Sequence, residues 1–147
     1  MRLIVVGAGG RMGRTLVKAI AETAGVTLAG AVEQAGGLIG QDSGVLAGIA
    51  ANQIALVTDA KPLLVSADGI LDFTAPAATL KFAALCAEAG KVHVAGTTGL
   101  SAEDEDKIKA FARKAVIVRS ANMSLGVNLT AAPSKSAVPD GASTFLL

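Results

Sequence analysis

Short apolar runs alternate along this chain with stretches of helical periodicity. Leu3–Val6, Thr27–Val32, Ile54–Val57, Gly69–Phe73, Val92–Ala95 and Val116–Val118 carry almost no polar alternation. Runs that are apolar on both faces predict strands of a parallel sheet covered by helices on both sides. Between the first two runs, Met12, Leu16, Ile20 and Ala24 recur at i, i+4, opposite Arg11, Arg14, Lys18 and Glu22. That stripe predicts a helix from about Gly10 to Ala24, stopped by Gly25. A second helix is predicted over Ala75–Ala89, with Pro76 in its first turn, Leu80, Phe82, Ala84, Leu85 and Ala87 as its apolar surface, and Gly90 at its end. A shorter helix is expected around Ala60–Ser66. Over Ser101–Lys114, Ser101 is the expected N-cap and Asp104 its N3 partner, and acids precede bases in the order the helix dipole favours. The charge run Glu103–Asp106 reads as a solvated helix face.

This alternation of strand and helix implies right-handed crossovers and an α/β fold with a doubly wound, mostly parallel sheet. Gln34–Asn52, with five glycines and no clean period, reads as loop. After Leu129 periodicity disappears into a Pro/Ser/Gly-rich stretch, so residues 1–129 are expected to form one domain and residues 130–147 an irregular tail.

Composition narrows the picture further. The 147 residues suit one ordinary domain. With 52% apolar residues and neither Trp nor Tyr, the core must be built from Ala, Val, Leu and Ile. Thirteen basic against twelve acidic residues form no basic stripe, so nucleic acid is not the expected partner. The single Cys86 precludes an internal disulfide, fits a reducing compartment and, in its Ala-rich helical setting, reads as a buried inert thiol. The apolar stretch at the N-terminus is too short for a signal peptide, and no run approaches the roughly 20 apolar residues that span a bilayer. The expectation is a cytoplasmic protein with no membrane partner.

The chemistry is concentrated in the turn after the first run, VVGAGGRMGR. A phosphate needs backbone N–H groups with no side chain in the way, and a helix N-terminus supplies both the donors and a favourable dipole. Gly7 suits the tight turn, and Gly9 and Gly10 suit close approach of a pyrophosphate. The helix-packing glycine of G-x-G-x-x-G is displaced by one place, to Gly13, with Met12 where it would stand. Glu33 closes the second run, twenty positions past Gly13, where an acid would accept hydrogen bonds from an adenosine ribose. Strand, turn, helix and acid together predict a Rossmann-like dinucleotide-binding domain. Gln34 is neutral and Glu33 repels a 2′-phosphate. Arg11 and Arg14 are the cations that could compensate, so the cofactor is NADH or NADPH with a lean to NADH.

Three further loops lie where ligands of open α/β sheets bind, at strand carboxyl ends. They are DFTAP (Asp72–Pro76), with Thr74 near the cofactor, GTTG (Gly96–Gly99) and SANMSLGVN (Ser120–Asn128). His93, the only histidine, sits between two valines of a strand and reads as a core or sheet-face residue rather than a general base. No spacing suggests a metal site.

VVGAGGRMGR, Glu33, DSGVLAG (Asp42–Gly48), DFTAPAATL (Asp72–Leu80), VAGTTGL (Val94–Leu100) and SANMSLGVNL (Ser120–Leu129) occur in one order and spacing. Together they resemble bacterial dihydrodipicolinate reductase, also called 4-hydroxy-tetrahydrodipicolinate reductase, of the diaminopimelate route to lysine. The resemblance covers residues 1 to about 129. It implies hydride transfer from NADH or NADPH to a cyclic unsaturated dicarboxylate. It implies that Gly7, Ala8, Gly9, Gly10, Arg11 and Met12 wrap the pyrophosphate and that Glu33 binds the adenosine ribose. Gly96, Thr97 and Thr98 would lie against the nicotinamide, and Ser120, Ala121, Asn122 and Met123 would close the site. Some relatives carry Arg where this chain has Gln34 or Ala75.

Members of the family are homo-oligomers whose second, α+β domain carries a His-His-x-x-Lys and a Ser-Gly-Thr motif for substrate, proton and tetramer formation. Those motifs do not occur in this sequence, for which a truncated or frame-shifted reading is one explanation. Hydride transfer needs the substrate carbon held about 3–3.5 Å from the nicotinamide with a proton donor beside it. The chain is therefore expected to bind NAD(H), to supply no catalytic residue itself, and to turn over its dicarboxylate only when a second domain is provided. The alternative is a non-catalytic NAD-binding or regulatory module. Another small Rossmann dehydrogenase, of aspartate or homoserine type, fits the first turn but not the GTTG and SANMSLGVN stretches together.

Overall fold

A computed structural model describes residues 1–119 of the chain. The SANMSLGVN loop, with Ser120, Ala121, Asn122 and Met123, and the stretch 130–147 lie outside the described residues. The elements run β1 (Arg2–Val6), α1 (Arg11–Glu22), β2 (Thr27–Val32), α2 (Ser43–Leu46), β3 (Leu56–Val57), a 3₁₀ turn (Pro62–Val65), β4 (Gly69–Asp72), α3 (Pro76–Ala89), β5 (Val92–Ala95), α4 (Ala102–Phe111) and β6 (Ile117–Arg119). The strands form one sheet in the order β3-β2-β1-β4-β5-β6, every neighbour parallel. From β1 the chain winds outward to β3; it then returns to β4 and winds the other way. The reversal between β1 and β4 is the switch point at whose carboxyl edge such sheets bind ligands.

Alternation along β1 shows why both faces are apolar. Ile4 and Val6 join Ile70, Phe82 and Cys86 on one side, while Val5 joins Val17, Ile20, Ala31 and Leu56 on the other. A third cluster seals α3 to α4 through Ala83, Ala87, Ile108, Ala112 and Ile117. No helix among the described residues is long and apolar enough to cross a membrane.

Several local expectations shift on contact with packing. The buried line of α1 is Gly13, Val17 and Ile20, which shares only Ile20 with the predicted stripe; Met12 is 47% exposed, Leu16 half-buried and Ala24 exposed beyond the helix end. The helix presses its glycine onto the preceding turn, which rotates Met12 outward. It ends at Glu22 with Thr23 extended, before Gly25 is reached. On α3 the buried residues are Thr79, Phe82, Ala83, Cys86 and Ala87, with Leu80, Ala84 and Leu85 only half-buried. The predicted strand Ile54–Val57 shortens because Ala55 bridges antiparallel to Asp42 instead of continuing beside β2. The last strand moves one residue on, leaving Val116 43% exposed. The expected helix near Ala60–Ser66 is the 3₁₀ turn Pro62–Val65.

The loop Gln34–Asn52 hides an organising residue. Asp42 caps α2 by accepting from the Val45 N–H at 3.0 Å, and it also accepts from the N–H groups of Asn52 (3.2 Å) and Gln53 (2.7 Å). The first of these bonds is the strongest influence holding its carboxyl below the usual carboxylate range.

The ends of α3 and the start of α4 are as expected, while α4 stops at Phe111, short of the predicted Lys114. Gly90 closes α3 in the left-handed region at φ 62°. Ser101 and Asp104 form a reciprocal capping box, with Asp104 N–H to Ser101 Oγ at 3.2 Å and Ser101 N–H to Asp104 Oδ2 at 3.1 Å. Ser101→Ala should lower unfolding stability by about 1 kcal/mol, read as a reduced urea midpoint with unchanged slope.

Candidate functional site

The glycine turn is built to bring backbone close to backbone. Gly7 adopts φ +70°, where a side chain is strained, and its carbonyl accepts from the Gly10 N–H at 3.0 Å, closing the turn. The Ala8 N–H donates to Val32 O at 3.0 Å, tying the turn to the end of β2. Gly10 is the N-cap of α1, with no side-chain cap and no acid in the first turn. The positive end of the helix and its first N–H groups therefore face the turn without a carboxylate to satisfy them. Behind them Gly13 lies against Gly7 and Ala8. A Cβ there would overlap the Gly7 carbonyl oxygen and stand 2.6 Å from Ala8 Cα.

Glu33 reaches across this turn. Its Oε2 accepts from the Gly9 N–H at 2.9 Å and its Oε1 from the Gln34 N–H at 2.8 Å. The carboxylate is thus fixed over the helix mouth with lone pairs left for an outside donor. A Cβ on Gly9 would meet Glu33 Oε2 at 2.9 Å and Leu38 Cδ1 at 2.6 Å, so glycine is required for this approach. Arg14 does not swing free as the sequence suggests. Its Nε donates to Gly9 O at 2.9 Å. Arg11 and Met12 are both exposed at the start of α1.

In front of the turn lies a cleft of about 610 Å³. Gly7 and Gly10 form its floor, Glu33, Gln34 and Thr58 one wall, and Thr74, Ala78 and Lys81 of the β4–α3 segment the other. A second cleft of about 400 Å³, between the 3₁₀ turn and the end of α3, is lined mainly by Leu64, Val65 and Leu85, with the exposed Lys61 and Glu88 and the half-buried Lys91 at its rim.

Beneath the loops at the ends of β4 and β5 runs a buried polar network. Asp72 and His93 are both fully buried, with His93 Nε2 to Asp72 Oδ2 at 3.1 Å. Asp72 Oδ1 accepts from the Thr74 N–H (3.0 Å) and hydroxyl (2.6 Å), which turns DFTAP toward the cleft. Burial would push the Asp72 carboxyl up, but hydrogen bonds from His93, Thr74 and Thr79 outweigh it and hold the group below the usual range. Thr97 is buried too, its hydroxyl 2.6 Å from that of Thr79. Gly96 donates to Asp72 O at 2.8 Å and packs where a Cβ would run into the Phe73 ring. Of the GTTG loop, Thr98 and Gly99 are the exposed members. His93 is therefore a core residue, and Cys86 is a buried thiol pushed up to about 12 by burial and then by the Asp72 charge.

The arrangement brings Gly7–Gly10, Glu33, Gln34 and Thr74 to one crevice. It offers open amides at a helix N-terminus beside a fixed carboxylate, the pairing that a phosphate linked to a diol-bearing sugar requires. Sequence reading missed Thr58, Lys81 and the Thr79–Thr97 pair. The single lysine of an Ala-rich helix, one turn beyond Ala77, was the available signal for the second.

Comparison with known proteins is consistent with this geometry. The sequence model of the family described as dihydrodipicolinate reductase, N-terminus, matches residues 1–123. Among curated relatives, 4-hydroxy-tetrahydrodipicolinate reductase of Bradyrhizobium sp. (strain ORS 278) is 60% identical over 133 residues, covering 90% of this chain and 49% of the relative. The protein of the same name from Rhodopseudomonas palustris (strain HaA2) is 58% identical over 136 residues, covering 92% and 50%. The chain thus spans about half the length of these relatives. Among solved structures, dipicolinate-bound dihydrodipicolinate reductase from Paenisporosarcina sp. TG-14 superposes with a TM-score of 0.67 at 22% identity, over 88% of this chain and 50% of that one. An amine dehydrogenase from Mycobacterium smegmatis shares the fold at TM-score 0.64 and 21% identity, over 81% and 38%.

Proposed function

The chain belongs to the dihydrodipicolinate reductase N-terminal family, and from that membership we propose that it holds the nicotinamide dinucleotide for reduction of a cyclic unsaturated dicarboxylate in lysine biosynthesis. The observation that carries this reading is the uncapped start of α1 behind Gly7–Gly10 with Glu33 fixed across it. Arg11 and Met12 would present free N–H groups to the pyrophosphate, and Gly7, Ala8, Gly9 and Gly10 would shape the turn that lets it approach. Glu33 would accept from the adenosine ribose, with Gln34 beside it. Thr74 and the Gly96–Thr98 backbone would border the nicotinamide, and Ser120–Met123 would complete that end.

When bound, the reduced nicotinamide supplies the hydride. This chain's residues bind and orient it. The turn excludes side chains from the phosphates, and the Asp72–His93 pair holds Thr74 in place from below. Proton delivery and dicarboxylate binding belong to neither member of that pair, since both are fully buried. Residues 1–129 form the nucleotide domain in this reading. A second domain, supplied by the full-length family protein, would bring the substrate groups and the homo-oligomer contacts. A cytoplasmic setting suits a biosynthetic reductase and the free, unreactive Cys86.

The test is a titration of the 147-residue chain with NADH and NADPH, followed by a reductase assay on the same sample. Saturable one-site binding with turnover at or near background is expected. Absence of binding by a folded chain overturns the cofactor assignment, and robust turnover overturns the need for a second domain. Complementation of a lysine-pathway mutant separates this reading from a non-catalytic NAD module.

A further inference from the structure

We propose that Lys81 is a specificity-determining residue, whose ammonium meets the ribose 2′-phosphate and so admits NADPH alongside NADH. This rests on the reading that the 610 Å³ cleft takes the adenosine half of a nicotinamide dinucleotide.

The cleft sets a charge problem. The Glu33 carboxylate is fixed at the ribose end by two backbone N–H groups, at 2.9 and 2.8 Å. It favours two free hydroxyls and opposes a phosphate at the same place. A compensating cation is needed if a 2′-phosphate is to enter. The residue after Glu33 does not supply it, because Gln34 is neutral. Arg11 and Arg14 do not line the cleft, and Arg14 Nε is already donating to Gly9 O. Lys81 is the one basic residue among the described residues that lines it, in company with Glu33, Gln34 and Thr58. It is exposed and forms no ion pair among the described residues.

Its placement follows from helix geometry. Pro76 starts α3 directly after the Thr74 loop, and Ala77, Ala78 and Lys81 share one face at i, i+3 and i+4. The two alanines keep that wall shallow, so the base and ribose can lie along it. The long lysine stem then carries a charge past them to the cleft's outer end. A flexible ammonium suits a phosphate as a point charge and imposes no fixed hydrogen-bond fork. With NADH, Lys81 stays hydrated in solvent and costs nothing, so the chain accepts both cofactors.

The test uses NADH, NADPH, 5′-AMP and 2′,5′-ADP against the 147-residue chain, its K81A and K81R variants, and thermal melting to verify folding. K81A should weaken NADPH and 2′,5′-ADP about tenfold, the scale of one charge-assisted contact. NADH and 5′-AMP should change by less than about twofold, within the range of a surface substitution. K81R should retain most of the 2′-phosphate preference, and the steeper salt dependence of NADPH binding should flatten in K81A. Equal weakening of all four ligands would place Lys81 over the base or the adenosine 5′-phosphate and overturn the proposal, as would an unchanged NADPH:NADH ratio. If the folded wild type binds neither NADH nor 5′-AMP, the cofactor reading itself fails and this proposal with it.

Discussion

Gly13→Val should unfold or severely destabilise the domain and abolish cofactor binding with it. A Cβ at this position would overlap the Gly7 carbonyl oxygen and stand 2.6 Å from Ala8 Cα and 2.8 Å from Gly7 C. All three are backbone atoms, so no rotamer change relieves the clash. α1 would have to lift off the turn, separating Val17 and Ile20 from Val5 and Ala31. Overpacking of this kind costs about 1–3 kcal/mol and sometimes more, and the lifted helix adds the loss of those apolar contacts, against a total stability of roughly 5–15 kcal/mol. Gly13→Ala sharpens the point. In a free helix alanine is favoured over glycine by about 1 kcal/mol, yet here the smaller substitution should still destabilise. Gly37→Ala is the control, since a Cβ there meets nothing within 4 Å; its urea midpoint should match the wild type. A stable Gly13→Ala that binds NADH normally would contradict the close-approach account.

Asp72→Ala should be comparably damaging, for electrostatic reasons. Asp72 is fully buried and satisfies three donors, His93 Nε2 at 3.1 Å and the Thr74 amide and hydroxyl at 3.0 and 2.6 Å. Removing it strands the fully buried His93, whose Nδ1 already has no partner, and releases the half-buried Thr74 that shapes the loop. Each buried donor left without its acceptor costs about 1–3 kcal/mol. The wild type should also show a pH signature. Hydrogen bonds hold the Asp72 carboxyl below its ordinary value of 3.8 despite burial. A depressed folded value means that the stabilisation is complete above about pH 4 and is lost as pH falls through the folded value. Urea unfolding of the wild type from pH 6 to pH 2 should show that loss, and Asp72→Ala should be flatter over the same interval. A variant with unchanged stability at pH 7 would count against the network.

Much of the architecture was legible in the sequence because burial on both faces leaves unbroken apolar runs, and caps leave local residue signatures. All six strands, the capping box at Ser101 and the Gly90 stop follow from such local rules. The glycine turn was legible for a related reason, since each glycine meets a separate steric demand. What escaped depends on partners distant in the chain. The rotation of α1 is set by Gly13 meeting Gly7, which helical periodicity alone does not register. Thr79 and Thr97 look like ordinary helix and loop residues until the fold places their hydroxyls 2.6 Å apart. Asp42 organises its loop through amides up to eleven positions away. Lys81 reads as a solvated helix residue until the cleft shows what it faces.

The central claim is that the amides behind Gly7–Gly10 receive the diphosphate of a nicotinamide dinucleotide. It is tested most directly by titrating ADP-ribose into isotopically labelled chain and following the backbone amide resonances. The predicted result is saturable shifts concentrated at Gly9, Gly10, Arg11, Met12 and Gly13, with a smaller response at Gln34 beside the ribose acceptor. Shifts centred elsewhere, or none at millimolar ligand with the fold intact, would contradict it.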